Sequence, residues 1–85
     1  MIYNIELSRN AYKALKDIPY TDVKKIRDKI EKLKKEPLPH GCEKLEGNED
    51  LYRIRSGDYR VIYQIFSKKL IILVVKIGHR REIYR

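Results

Sequence analysis

Hydrophobic positions recur along this chain with two different periods, and the changes of period mark its elements. In the opening MIYNIEL, Tyr3, Ile5 and Leu7 alternate with Asn4 and Glu6, the two-residue repeat of a half-buried strand. Ser8 then offers an N-cap. From there Ala11, Ala14, Leu15 and Ile18 fall at helical spacing, one face of a short helix that stops at Pro19. Thr21 or Asp22 is expected to cap a second helix, whose apolar stripe Val23, Ile26, Ile30 and Leu33 runs among lysines and acids until EPLP ends it. Interspersed acids make that lysine-rich surface an ordinary solvated face.

PLPHGCEKLEGNED is punctuated by Pro, Gly, Asn and Asp and reads as a crossing loop. Three strand-like runs follow, LYRIR, DYRVIYQIF and LIILVVKI, separated by the short hairpin connections SG and SKK. No repeat or linker divides residues 1–85, so a single domain is expected. The order β-α-α-β-β-β, with helices grouped rather than alternating with strands, indicates an α+β fold. An N-terminal strand and a helical hairpin precede antiparallel strands, with the two helices packed on one face of the sheet.

Alternation also sorts the side chains of LYRIRSGDYRVIYQIF. A loop at Ser56-Gly57 pairs Arg55 with Asp58, and a loop at Gly57-Asp58 pairs it with Arg60. Either register places Arg53, Arg55 and Arg60 on one sheet face, with Ile62 and Phe66, and Tyr52, Ile54, Tyr59, Val61, Tyr63 and Ile65 on the other. The second set is the expected core. The first sets like charges side by side, which costs stability and therefore asks for another reason.

Charge strengthens that reading. Residues 1–50 hold eleven Lys+Arg against ten Asp+Glu, whereas residues 51–85 hold nine against only Asp58 and Glu82, so seven of the eight net positive charges lie in the last 35 residues. Six of the eight arginines are there. Guanidinium forks suit phosphate better than lysine does, and with only Asp58 and Glu82 nearby the cluster is expected to lack enough internal partners and to bind an anion such as RNA or DNA. His40 and Cys42 supply two potential ligands where a structural zinc site needs four, and a lone cysteine forms no internal disulfide. The longest apolar run, Leu70 to Val75, is far too short to span a bilayer, and no signal pattern opens the chain, so a cytoplasmic protein without a membrane role is expected.

At YRIRSGDYRVIYQI and IILVVKIGHRREIY, with GCEKLEG in the crossing, the sequence resembles the RelE/ParE superfamily of toxins from bacterial and archaeal toxin–antitoxin pairs, on the RelE side. That resemblance implies an endoribonuclease that cuts mRNA in the ribosomal A site and so inhibits translation, uses no metal or cofactor, and is held inactive in a hetero-oligomer with a RelB-like antitoxin. By position, it assigns catalysis to Arg60, Arg80 and Tyr84. Arg53 and Arg55 match its basic pair on the first hairpin strand, and His79, where the family often has lysine, joins Arg81 and Arg85 as RNA contacts.

The residue types suit this chemistry. Cleavage by the neighbouring 2′-OH requires its deprotonation, stabilisation of the phosphorane charge and protonation of the leaving 5′-oxygen. Arginines serve the second need. Tyr84, if its phenolate is favoured by nearby guanidinium groups, serves the first, or else it stacks on a base and orients the sugar. Arg80 ranks before His79 for the leaving group. Two other readings remain open at this stage: a ParE-like inhibitor of DNA gyrase, and a non-catalytic basic nucleic-acid-binding protein.

Overall fold

The computed structural model describes residues 2–47 and 50–83, the last two of these by backbone alone. Its elements are β1 (Asn4–Leu7), α1 (Arg9–Asp17), α2 (Tyr20–Lys32), β2 (Glu43–Lys44), β3 (Leu51–Ser56), β4 (Tyr59–Phe66), β5 (Ile71–His79) and a short α3 (Arg80–Ile83). The five strands form one sheet in the order β1-β5-β4-β3-β2. Strands β2 to β5 pair antiparallel, as expected, while β1 runs parallel to β5. The helical hairpin between β1 and the rest carries the chain back, so β1 enters the sheet in the direction of β5. β2 and α3 were not expected from the pattern. Each is too short to show a period.

Ser8 caps α1 as its position suggested. Its Oγ accepts from the Ala11 N–H at 3.0 Å and donates to the Val75 carbonyl at 2.7 Å, so one hydroxyl closes the helix and ties it to β5. α2 starts earlier than Thr21 or Asp22 would place it. Pro19 occupies its N-cap with no side-chain cap, and the Pro19 carbonyl accepts from Asp22 and Val23. Proline's fixed φ sets this entry and has no N–H to satisfy.

The apolar faces meet where expected. Ala11 from α1, Ile26 and Ile30 from α2 and Leu33 just beyond it close on Ile54, Val61, Tyr63, Ile65, Ile72, Val74 and Ile77 of the sheet. Tyr3, Ile5, Ala14, Leu15 and Ile18 pack at its margin, whereas Leu7 stays partly exposed. Tyr63 is fully buried, and its hydroxyl donates to the Pro37 carbonyl at 2.7 Å, tying the start of the crossing to the central strand. Burial first, and the neighbouring Cys42 second, push its phenol well above the ordinary tyrosine value.

α1 and α2 both pack on this face and leave the opposite face of the sheet uncovered by either. In β5, Val74 pairs with Tyr63 and Lys76 with Ile62, so Val75 is an extra residue. This bulge reverses the parity of everything after it. Ile72 and Val74 face the helices before the bulge, and Ile77 does so after it.

Candidate nucleic-acid interface

The hairpin joining β3 and β4 turns at Gly57-Asp58 and sets Ser56 opposite Tyr59 and Arg55 opposite Arg60. Of the two registers left open by sequence, this is the one with the arginines paired. Gly57 has φ +60° and Asp58 no positive φ, the pattern of a type II′ turn, whose twist matches the flanking strands and which wants glycine first. Arg53, Arg55 and Arg60 therefore share the face opposite α1 and α2, together with half-buried Ile62 opposite Arg53 and half-buried Phe66 opposite Ile71.

The turn is the hub of the cluster. Arg60 is buried, 7% exposed, and its Nη1 donates to the carbonyls of Gly57 at 3.0 Å and Tyr59 at 3.1 Å. Its Nε is buried and has no hydrogen-bond partner among the described residues. Gly78 lies opposite it on β5. Two residues further on, the Arg80 backbone N–H donates to the Asp58 carbonyl at 2.7 Å, and its Nε sits 3.8 Å from the Asp58 carboxylate. Arg60 and Arg80, distant in sequence, are thus fixed to adjoining atoms of a single turn. Both Arg80 and Asp58 are more than half exposed, so their ion pair contributes orientation more than stability.

Glu43 was missed. The count of nearby acids, Asp58 and Glu82, left out Glu43, which β2 brings opposite Arg53 by pairing with β3. One Glu43 oxygen accepts from Arg53 Nη2 at 3.1 Å and the other from Arg55 Nη2 at 3.3 Å. No local signal in the crossing announced this, since the pairing arises only when the two-residue strand docks on the sheet edge.

His79 lies on the other side of the sheet. The bulge at Val75 turns it to the helix face, opposite Tyr59, whose ring it meets edge-on at 5.6 Å. It lines a recess of about 280 Å³ with Ala14, Asp17 and Ile18, and its Nδ1 accepts from the Arg81 N–H at 3.3 Å. Strand geometry therefore separates it from the three hairpin arginines. Arg81 is exposed on α3. Tyr84 and Arg85 lie outside the described residues. Among those residues, no group of three His, Cys, Asp or Glu side chains is placed to hold a metal ion.

Comparison with known proteins places this arrangement in a family. The model of a family described as the ParE toxin of type II toxin–antitoxin systems, parDE, matches residues 5–84. The chain belongs to the ParE toxin family. Similar relatives carry RelE names: a Methanocaldococcus jannaschii protein named as toxin RelE1 is 35% identical over all of this chain and 98% of its own length. The mRNA interferase toxin RelE of Escherichia coli K12 is 28% identical over 99% of this chain and 92% of its own. Among solved structures, the RelE–RelB complex of Pyrococcus horikoshii OT3 superposes with a TM-score of 0.84 at 34% identity, covering 96% of this chain and 99% of that one. The intact E. coli RelBE complex gives 0.80 at 26% identity, with 91% and 95% covered. This ParE-family chain therefore has the RelE fold, and it is a toxin of the RelBE type. No helix among its described residues is long and apolar enough to cross a membrane.

Proposed function

We propose that this toxin is an endoribonuclease that cleaves mRNA in the ribosomal A site, in the cytoplasm, and is silenced by a RelB-like antitoxin in a hetero-oligomer. The observation that carries the proposal is the gathering of Arg60 and Arg80 on the Gly57-Asp58 turn, with Arg55 directly across the hairpin. The E. coli relative named as an mRNA interferase, and the solved complexes of RelE with RelB, support it.

In this reading the 2′-OH of the nucleotide before the cut gives its proton to a base and attacks the neighbouring phosphorus, closing a 2′,3′-cyclic phosphate as the P–O5′ bond breaks and the 5′-oxygen takes up a proton. Arg60, held by two carbonyls through Nη1, offers Nη2 to the phosphorane oxygens, where fixed positive charge lowers the barrier without reorganising. Arg80 hydrogen-bonds the departing oxygen. Arg53 and Arg55 hold the flanking backbone once phosphate displaces Glu43. Tyr84 serves as base or as stacking platform. Arg81 and Arg85 contact RNA further along, while His79 shapes the Tyr59 recess instead of touching the phosphate.

Purified toxin incubated with programmed ribosomes should produce mapped breaks in the message, and Arg60→Ala should abolish them. Intact message would overturn the proposal. A second reading rests on the family description itself, which names ParE. Loss of gyrase supercoiling on adding the toxin, with ribosome-bound message left whole, would establish that one instead.

A further inference from the structure

β2 covers only Tyr52 and Arg53 of β3, so the edge of β3 from Ile54 to Ser56 has no strand beside it among the described residues. Against this edge, the last turn of α2 and the bend at Pro39–Gly41 enclose a pocket of about 400 Å³. Ile54 and Pro39 give it apolar lining, Lys29, Lys32 and Arg55 bring three cations to it, Arg55 shared with Glu43, and His40 and Gly41 complete the lining. Among the described residues no carboxylate lines it.

The lysines were expected to form a plain solvated face, and the negative end of the α2 dipole accounts for cations there. It does not account for Arg55 and His40 arriving from two other parts of the chain. Nor are the ammonium groups neutralised: Lys34 pairs with Glu31 at 2.6 Å, whereas neither Lys29 nor Lys32 makes an ion pair among the described residues. A pocket of this volume matches those that hold small ligands, and its lining suits a group that is apolar at one end and doubly oxygenated and anionic at the other.

We infer that this pocket is a second RNA subsite, taking one phosphate-bearing nucleotide of a strand that crosses the open edge of β3 from the arginine face. Arg55 belongs to both surfaces and marks the passage between them. The phosphate lies between Lys29, Lys32 and Arg55, and the sugar or base lies on Ile54 and Pro39. The inference extends the RNA reading of the toxin, but it concerns binding and does not require cleavage.

The test uses full-length toxin made by cell-free synthesis and a short, fluorescent single-stranded RNA. Amide resonances of Gly41 and Ile54 should move as RNA is added, and K29A/K32A should abolish those movements while leaving those of Arg60 and Gly57. Its affinity should fall about threefold or more at low salt, and the slope of log K against log salt should shrink by about 0.7 for the lost phosphate contact. Unchanged slope and affinity in K29A/K32A, or Gly41 and Ile54 resonances that respond to inorganic phosphate but not to RNA, would overturn the inference. Circular dichroism of the variant separates loss of binding from loss of fold. If Gly41 and Ile54 respond to RNA while programmed ribosomes keep their message intact, the subsite stands and the proposed nuclease activity falls.

Discussion

Arg55 and Arg60 face one another across the hairpin, but among the described residues only Arg55 is met by a carboxylate. Arg60 is instead bent onto its own turn, bonded to two neutral carbonyls, with its Nε buried and unpartnered among the described residues. A buried cation beside another cation costs stability, and function is the natural reason to keep it. Arg60→Met should therefore leave stability within about 1 kcal/mol of wild type, because the lost hydrogen bonds are offset by relief of desolvation and repulsion. Cleavage should fall by about 10²- to 10³-fold. Urea unfolding and single-turnover cleavage on ribosomes read the two effects, and a large stability loss would make Arg60 a structural residue.

Glu43 holds Arg53 and Arg55 together through its two carboxylate oxygens. If the two arginines take phosphate, as the proposed function has it, Glu43 competes with the RNA for them. Glu43→Gln is expected to tighten binding of a single-stranded RNA several-fold at low salt. Stability should change by less than about 1 kcal/mol, because the carboxylate is partly exposed. Weaker binding would instead show that the carboxylate preorganises the two arginines.

The hairpin arginines were legible in sequence because strand parity survives an error of register: Arg53, Arg55 and Arg60 stay together whichever two residues form the turn. The core was legible for the same reason, from the alternation in β4 and the helical spacing of Ile26, Ile30 and Leu33. Two features were not. Glu43 reaches its partners through a two-residue strand that carries no periodicity, and His79 changes sides because of one extra residue at Val75, which no local pattern distinguishes from its neighbours. Both depend on long-range pairing, which a reading of adjacent residues does not contain.

The Gly57-Asp58 turn carries more than the hairpin. Its Gly57 carbonyl holds Arg60 and its Asp58 carbonyl holds the Arg80 backbone. Gly57→Ala meets no neighbouring atom, yet it forces a Cβ onto φ +60°. The cost should be about 1–2 kcal/mol if the turn persists. Relaxation of the turn would move both arginines together, so catalysis should fall more than an Arg80→Lys change alone produces. Thermal unfolding and cleavage kinetics on the same samples test this, and full activity with lowered stability would show that the two arginines do not depend on the turn.

Tyr63 provides a test of the fold that is independent of the arginines. Tyr63→Phe removes the donor to the Pro37 carbonyl and should cost about 1 kcal/mol near neutral pH. The pH dependence of that cost has a definite sign. Burial raises the phenol's pKa in the folded protein above its ordinary 10.0, so the folded state keeps a proton that the unfolded chain gives up. The resulting stability is complete below pH 10 and is lost progressively as pH rises beyond it. The gap between wild type and Tyr63→Phe should therefore narrow above pH 10, and the difference between the two proteins isolates this phenol from the other tyrosines. Urea midpoints measured on both sides of pH 10 decide the matter: a gap that stays constant or widens would mean that Tyr63 ionises as easily in the core as in water.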